Sequence, residues 1–407
     1  MRGASWRPLV RRLLVAALVL VAEFAAFEWF LRWRGGSEAA PVFQQLFMPD
    51  DVIGYRLRPD QSVVYTTPEF STPIATNAQG VRDADIGPKP AGERRVVVLG
   101  DSLVLAVQVP REATFCARLQ DRLNAGAPAG VRYRVINAGV QGYGPVEELL
   151  FYRRVASRFD AELVLVAAFV ANDAVEALDA AWRLDGSRPP AVAVADETER
   201  TLRRVVRRSM VLQIARQRVD QVRVRAGATG APSRPVASYL VTPPPFITDG
   251  LGVAARALGT LSREVHADGG RLAIALMPAR FQLDPAEFER LRTATEPMAG
   301  PIAKDAATER FSAALTPLGV PTIDLLPVLR SAPHGQYFAG TVHLTATGHT
   351  TVAAALEAFI RREHLLDLAA APTRRPRADA AARPMPRIAG RIPKGRPAVA
   401  RESAAAD

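Results

Sequence analysis

Arg95-Val96-Val97-Val98-Leu99-Gly100-Asp101-Ser102-Leu103 is the stretch that decides the fold. Four apolar residues in a row, three of them β-branched, have no polar alternation, and such a run reads as a strand covered on both faces. It stops at Gly-Asp-Ser, which are turn residues. A serine at the carboxyl end of a buried strand sits where open α/β sheets place their ligands. Working outward, Arg111 to Asn124 is an amphipathic helix with Phe115, Leu119 and Leu123 on one face. Tyr133 to Ile136 reads as strand, Val146 to Phe159 as helix and Leu163 to Phe169 as a second buried strand. Farther on, Leu251 to Ala267, Ile302 to Leu318 and Thr345 to Arg362 read as helices, with strands at Leu272 to Met277 and Thr322 to Leu325. This alternation predicts an α/β fold with a central parallel sheet and helices on both faces.

Composition narrows the function classes. The 407 residues include one cysteine, Cys116, which excludes an intramolecular disulfide and any multi-cysteine zinc or iron–sulfur centre. The five histidines form no HExxH pair, so no metal site is expected, and no organic cofactor is implied. Of the net charge of +11, residues 1–34 carry +4 and residues 371–407 carry +6, leaving +1 for everything between. The basicity lies in two tails around a nearly neutral body, which argues against nucleic acid as a partner.

Arg2, Arg7, Arg11 and Arg12 precede a run from Leu13 to Leu31 that is apolar except for Glu23 and Glu28, and Arg32 and Arg34 close it. About 20 apolar residues span a bilayer. No small-x-small cleavage pattern fits, and no lipoprotein cysteine follows the run, so an uncleaved anchor is expected. The arginine asymmetry then puts residues 1–12 in the cytoplasm and the domain outside. Residues 32–93 read as a juxtamembrane segment of turns and short strands. The catalytic-type domain spans 94–370, with an insertion at 174–249 that holds a very basic helical stretch, Glu197 to Arg225, and a Gly/Pro-rich run, Gly227 to Pro245. Long insertions in compact domains are often lids, so this one is expected to border the site. Residues 371–407, rich in Arg, Ala and Pro, read as a disordered basic tail.

Four strand–helix junctions carry chemistry-bearing residues. Ser102 follows the first strand. Asn137-Ala138-Gly139-Val140-Gln141-Gly142-Tyr143-Gly144 follows the second, and its glycines let backbone N–H groups face an oxyanion. Asn172-Asp173 closes the strand from Leu163, where an amide can donate to developing negative charge. His343-Leu344-Thr345 opens the last long helix, and a histidine there can act as general base if the fold returns it to the first strand. Read singly, these are a helix cap, a Gly-rich turn, a strand-end amide and a packed histidine.

In this order and at these junctions, the four blocks resemble the SGNH/GDSL hydrolase family. The resemblance spans about residues 94–362 and implies a three-layer α/β/α, flavodoxin-like fold. It implies Ser102 as nucleophile and His343 as general base, with the oxyanion held by the N–H of Ser102, the N–H of Gly142 and the side chain of Asn172. Residues Asp51 to Arg82, including Ile53-Gly54-Tyr55 and Asn77 to Arg82, are similar to the region before the GDSL block in membrane-anchored bacterial members. That similarity implies an inner-membrane protein with a single span and a periplasmic domain.

The implied activity is that of a serine esterase on carboxylic esters, the substrate being an acylated or acetylated small molecule or a cell-envelope glycan. Two alternatives stay open: a polysaccharide O-acetyltransferase, and a degenerate glycan-binding or assembly scaffold. One departure from the pattern is marked. The family has an aspartate two or three residues before the histidine, and here Thr341 and Gly340 stand there. The expectation is therefore a slow Ser102–His343 dyad, with Asp324 as the nearest preceding acid in sequence.

Overall fold

The computed structural model describes residues 42–67, 69–185 and 234–367, and scattered positions between 11 and 29. The chain divides into one unit of residues 1–44 with 189–230 and a second of residues 45–188 with 231–407. Everything below concerns the second unit.

Before the main sheet come two antiparallel pairs: β1 (Phe47–Asp50) with β2 (Gly54–Leu57), and β3 (Ser62–Thr66) with β4 (Ser71–Ala75). The main sheet is parallel and contains β5 (Glu93–Gly100), β6 (Arg132–Asn137), β7 (Leu163–Phe169), β8 (Arg271–Met277) and β9 (Thr322–Asp324). Its order is β6-β5-β7-β8-β9, the doubly wound arrangement in which the chain runs outward from β5 in both directions. Val96, Val97, Val98 and Leu99 are buried, as is every residue of β7, so the unalternated runs do mark strands covered on both faces.

On one face, α2 (Phe115–Ala125) packs against α9 (Ala346–Arg362), with Phe115 and Leu119 buried along the expected stripe. On the other, α5 (Pro245–Ala267) packs against α3 (Pro145–Arg154) and α4 (Asp173–Ala180). Three expected elements are shifted. α4 follows β7 directly, where the expected insertion was to begin, and α5 starts at Pro245 rather than Leu251, with Pro at the first turn suiting a helix entry. The helix expected from Ile302 begins only at Ala306 (α7, Ala306–Leu315), because Ile302 is spent on a bridge to Leu240. A further helix, α6 (Pro285–Ala299), opens on Asp284, whose carboxylate accepts the N–H groups of Ala286 and Glu287.

The expected tail, 371–407, and the basic core of the expected insertion, 186–233, lie outside the described residues, as does most of the run 13–31. Among the described residues no helix is long and apolar enough to cross a membrane.

Candidate active site

The switch point of the sheet lies between β5 and its two neighbours, and the first three blocks open there. Immediately after Gly100 the chain turns into a short helix, α1 (Ser102–Leu105), where the sequence suggested open chain up to Arg111. Asp101 makes this turn: its Oδ1 accepts the N–H of Leu103 at 2.8 Å. The helix stops at Ala106, which takes a left-handed conformation (φ 52°). Arg82 secures that stop. Its guanidinium is buried and donates to the carbonyls of Leu105 (2.8 Å), Ala106 (2.5 Å) and Val109 (2.7 Å). Asn137, at the end of β6, donates from Nδ2 to the carbonyl of Val104 at 2.8 Å. Ser102 is thus carried on a turn clamped from two sides.

His343 arrives from the opposite end of the domain. It lies in a loop after α8 (Leu326–Ser331), closed by a Tyr337–Leu344 bridge and by the Phe338 N–H on the His343 carbonyl at 3.0 Å. Thr345 caps α9 through the N–H of Gly348, which fixes where the loop ends. The loop brings His343 to the serine turn: its Nε2 lies 2.9 Å from Ser102 Oγ.

Burial lowers the imidazole pKa to about 4, so the ring is neutral at neutral pH. If Nε2 is to accept the serine proton, Nδ1 must carry the ring proton, yet Nδ1 is buried with no hydrogen-bond partner. Asp324 does not fill this gap; its Oδ1 accepts the N–H of Leu326 at 2.9 Å. His349, in α9, is a packed histidine. It is buried, it stacks on Phe115, and its Nδ1 accepts the N–H of Phe115.

The glycine block lies beside the serine turn, with the N–H of Val140 on the carbonyl of Gly100 at 3.0 Å. Gly142 has φ +72°, a conformation open to glycine, and a Cβ there would come within 2.9 Å of Tyr55 Oη. Tyr55, from β2, donates to the carbonyl of Gln141 at 2.7 Å, so the segment before the domain braces this loop.

Asn172 sits at the entry to α4. Its amide donates to Glu176 Oε1 at 2.9 Å and lies close enough to the Asp101 carboxylate to lower its pKa. Its Oδ1 is buried without a partner. The structure therefore brings Asn172 under the serine turn, with its amide engaged by Glu176 rather than free.

Those acids are the part the sequence did not reveal. Asp101, Glu147, Glu148, Asp173 and Glu176 interact with one another in the interior behind Ser102 and Asn172. Burial raises all five pKa values. Asp101 is pushed up to about 6, Glu147 to about 7 and Glu176 to about 8. Glu148 and Asp173 are also raised, by burial first and then by each neighbouring carboxylate. Both oxygens of Glu148 and one of Asp173 are buried without partners. Among the described residues no three His, Cys, Asp or Glu side chains are arranged to hold a metal ion. The Glu147-Glu148 pair, just after the glycine block, was the one visible signal, but nothing in the sequence marks it as buried.

Residues 249–398 match the family described as "SGNH hydrolase-like domain, acetyltransferase AlgX", a span that holds His343 but not Ser102. No curated protein matches the sequence. Among solved structures, TesA aligns over 66% of this chain and 99% of its own length, at 12% identity and a TM-score of 0.38. The lipase/acylhydrolase from Enterococcus faecalis aligns over 66% and 96%, at 15% identity and 0.34. The psychrotrophic esterase EstA from Pseudoalteromonas sp., solved with monoethylphosphonate as inhibitor, aligns over 67% and 98%, at 12% identity and 0.36. With Ser102 on the clamped turn after β5 and His343 returned to it across the chain, the domain is similar to the SGNH hydrolase-like family that residues 249–398 match.

Proposed function

We propose that this domain moves acyl groups through an ester on Ser102, and that its reaction is the hydrolysis of a carboxylic ester. The observation that carries this reading is the 2.9 Å contact between His343 Nε2 and Ser102 Oγ at the carboxyl ends of the sheet. A serine hydroxyl is a weak nucleophile and needs a base within hydrogen-bond reach. As Oγ attacks the carbonyl carbon, its proton passes to Nε2. The oxyanion is taken by the N–H groups of Ser102 and Gly142, and by the Asn172 amide turning away from Glu176. Collapse breaks the ester bond, and the departing alcohol takes the proton from His343. Water then attacks the acyl-serine with His343 again accepting a proton, and the acid and free Ser102 are released.

A second reading is transfer of the acyl group to a polysaccharide hydroxyl, and one observation favours it: the matching family is described as an acetyltransferase. The acyl-serine is the same and a sugar hydroxyl replaces water. We further propose that residues 13–31 anchor the protein in the bacterial inner membrane with the domain outside the cytoplasm, on the strength of the arginine asymmetry around that run.

The test is the full-length protein in detergent with an activated acetyl ester, with and without an envelope glycan acceptor. Free acetate as the sole acetylated product supports hydrolysis. Acetylated glycan supports transfer. Neither product from folded protein would make the domain a scaffold.

A further inference from the structure

Where the family pattern has an aspartate this chain has Gly340, and the acid that meets it there comes from elsewhere in the chain. Gly340 stands three residues before His343, one of the positions where the family pattern has its acid. A Cβ built on Gly340 would lie 2.6 Å from Oε2 of Glu69 and 3.2 Å from its Cδ. One oxygen of the Glu69 carboxylate therefore lies within the reach of a short acidic side chain at 340. Glu69 is not part of the sheet. It comes from the tip of the β3–β4 hairpin, 271 residues away in sequence, and its Oε1 accepts the N–H of Gly340 at 3.0 Å.

The tip is built to deliver it. Thr67 Oγ1 accepts the N–H groups of Glu69 and Phe70, and the Thr67 N–H donates to the Phe70 carbonyl, which tightens the turn. Phe70 packs on Phe338 with ring centroids 5.6 Å apart, docking the tip on the His343 loop. Arg280, in the turn after β8, donates to the carbonyls of Phe338 and Ala339 and is paired with Glu287. His343 Nδ1 meanwhile is buried and unpartnered. A buried donor left unmade costs about 1–3 kcal/mol, and an imidazolium formed there without a counter-charge costs more.

Resting on the acyl-transfer reading above, we propose that Glu69 is the positioning acid of this site, holding the His343 loop through Gly340 and taking the Nδ1–H of His343 as the imidazolium forms. The serine proton goes to Nε2, Nδ1 keeps its own proton, and the carboxylate accepts a hydrogen bond without a net transfer. The triad acid is thus supplied by the segment that precedes the domain, and the hairpin becomes part of the enzyme.

The test compares wild type with Glu69→Gln, Glu69→Ala, Gly340→Asp and the double variant Glu69→Ala/Gly340→Asp, all full-length. Glu69→Gln and Glu69→Ala should each lower kcat on an activated ester by tenfold or more, on the order of what disturbing a triad acid does, with KM little changed. The double variant should recover most of that loss, because an aspartate at 340 reaches the place of one Glu69 carboxylate oxygen. The acid limb of the kcat profile should move to lower pH in Glu69→Gln, since His343 then loses the charge that favours its protonated form.

If both Glu69 variants stay within about twofold of wild type while Ser102→Ala is inactive, the proposal falls and the acyl-transfer reading stands. If wild type shows no Ser102-dependent turnover, that reading falls, and ring-nitrogen NMR of His343 decides the proposal by itself. A titration midpoint lower in Glu69→Gln than in wild type upholds it, and an unchanged midpoint overturns it.

Discussion

The buried acids behind Ser102 make stability depend on pH in a direction opposite to that of an ordinary salt-bridged protein. Raising the pH from 6.5 to 8.5 is the perturbation. Glu147 and Glu176 have folded pKa values of about 7 and about 8, against 4.5 for the free side chain. A carboxyl whose pKa is raised by folding contributes stability that is fully present below the unfolded pKa and lost as pH rises through the folded one. Integrating over this window at 1.36 kcal/mol per pKa unit gives a loss of roughly 1 kcal/mol from Glu147 and 2 from Glu176. Glu148 and Asp173 add to it in the same direction.

The depressed histidines, His343 and His349, work the other way but in a lower window. Their stability is present above about pH 6.5 and lost as pH falls toward their folded values of about 4 and about 3. From pH 6.5 to 8.5 stability should therefore fall by roughly 3 kcal/mol or more, about 5 °C or more in Tm for a domain of this size. Thermal melts followed by circular dichroism at constant ionic strength measure it, and Glu176→Gln should make the slope shallower. A Tm that is flat or rising from pH 6.5 to 8.5, or a slope untouched by Glu176→Gln, would refute the argument that these carboxyls are buried neutral.

Other residues give separable outcomes. Asn172→Ala should lower kcat on an activated ester by about 10²-fold, the scale of one oxyanion donor, while Tm changes little; an equal loss in Tm and activity would make Asn172 purely structural. Arg82→Ala strands three buried carbonyls and should cost roughly 3 kcal/mol in urea unfolding, and Arg82→Lys should recover little, because an ammonium lacks the planar fork. Gly142→Ala forces a side chain into a left-handed conformation against Tyr55 and should cost about 1–2 kcal/mol as well as activity; Tyr55→Phe in the same background should relieve only the contact and not the backbone strain.

The central sheet was legible because burial on both faces leaves its mark one residue at a time. Val96 to Leu99 and Leu163 to Phe169 have no polar alternation, and that suffices to place two adjacent strands. Ser102 was legible as a reactive side chain at a strand–helix junction, which the parallel fold sends to one edge; His343 was legible only as a histidine before a long helix, since α8 separates its loop from β9. What was not legible depends on pairs distant in sequence. Arg82 reads as one arginine among many until its guanidinium is seen on the carbonyls after α1. Glu69 reads as a turn residue until the hairpin tip docks on Gly340.

α6 was hidden because it combines a polar composition with an internal Pro297, so neither apolar periodicity nor propensity announced it. Ile302 misled in the opposite way, as an apolar residue that extended the apparent helix but pairs with Leu240 instead. The acidic cluster was unreadable in principle from pattern alone, because adjacent glutamates at a helix start normally face water and favour the helix dipole. Only the packing of α3, α4 and β5 shows that they do not.

If Ser102 is a nucleophile activated by His343, covalent capture will report it without any knowledge of the substrate. Folded full-length wild type is treated with a serine-reactive phosphonate at pH 7.5, and the adduct is located by peptide mass spectrometry. One adduct is expected, on Ser102, absent in Ser102→Ala and formed about 10³-fold or more slowly in His343→Ala. No adduct on folded protein, or an adduct on Ser102 that forms equally fast without His343, would contradict it.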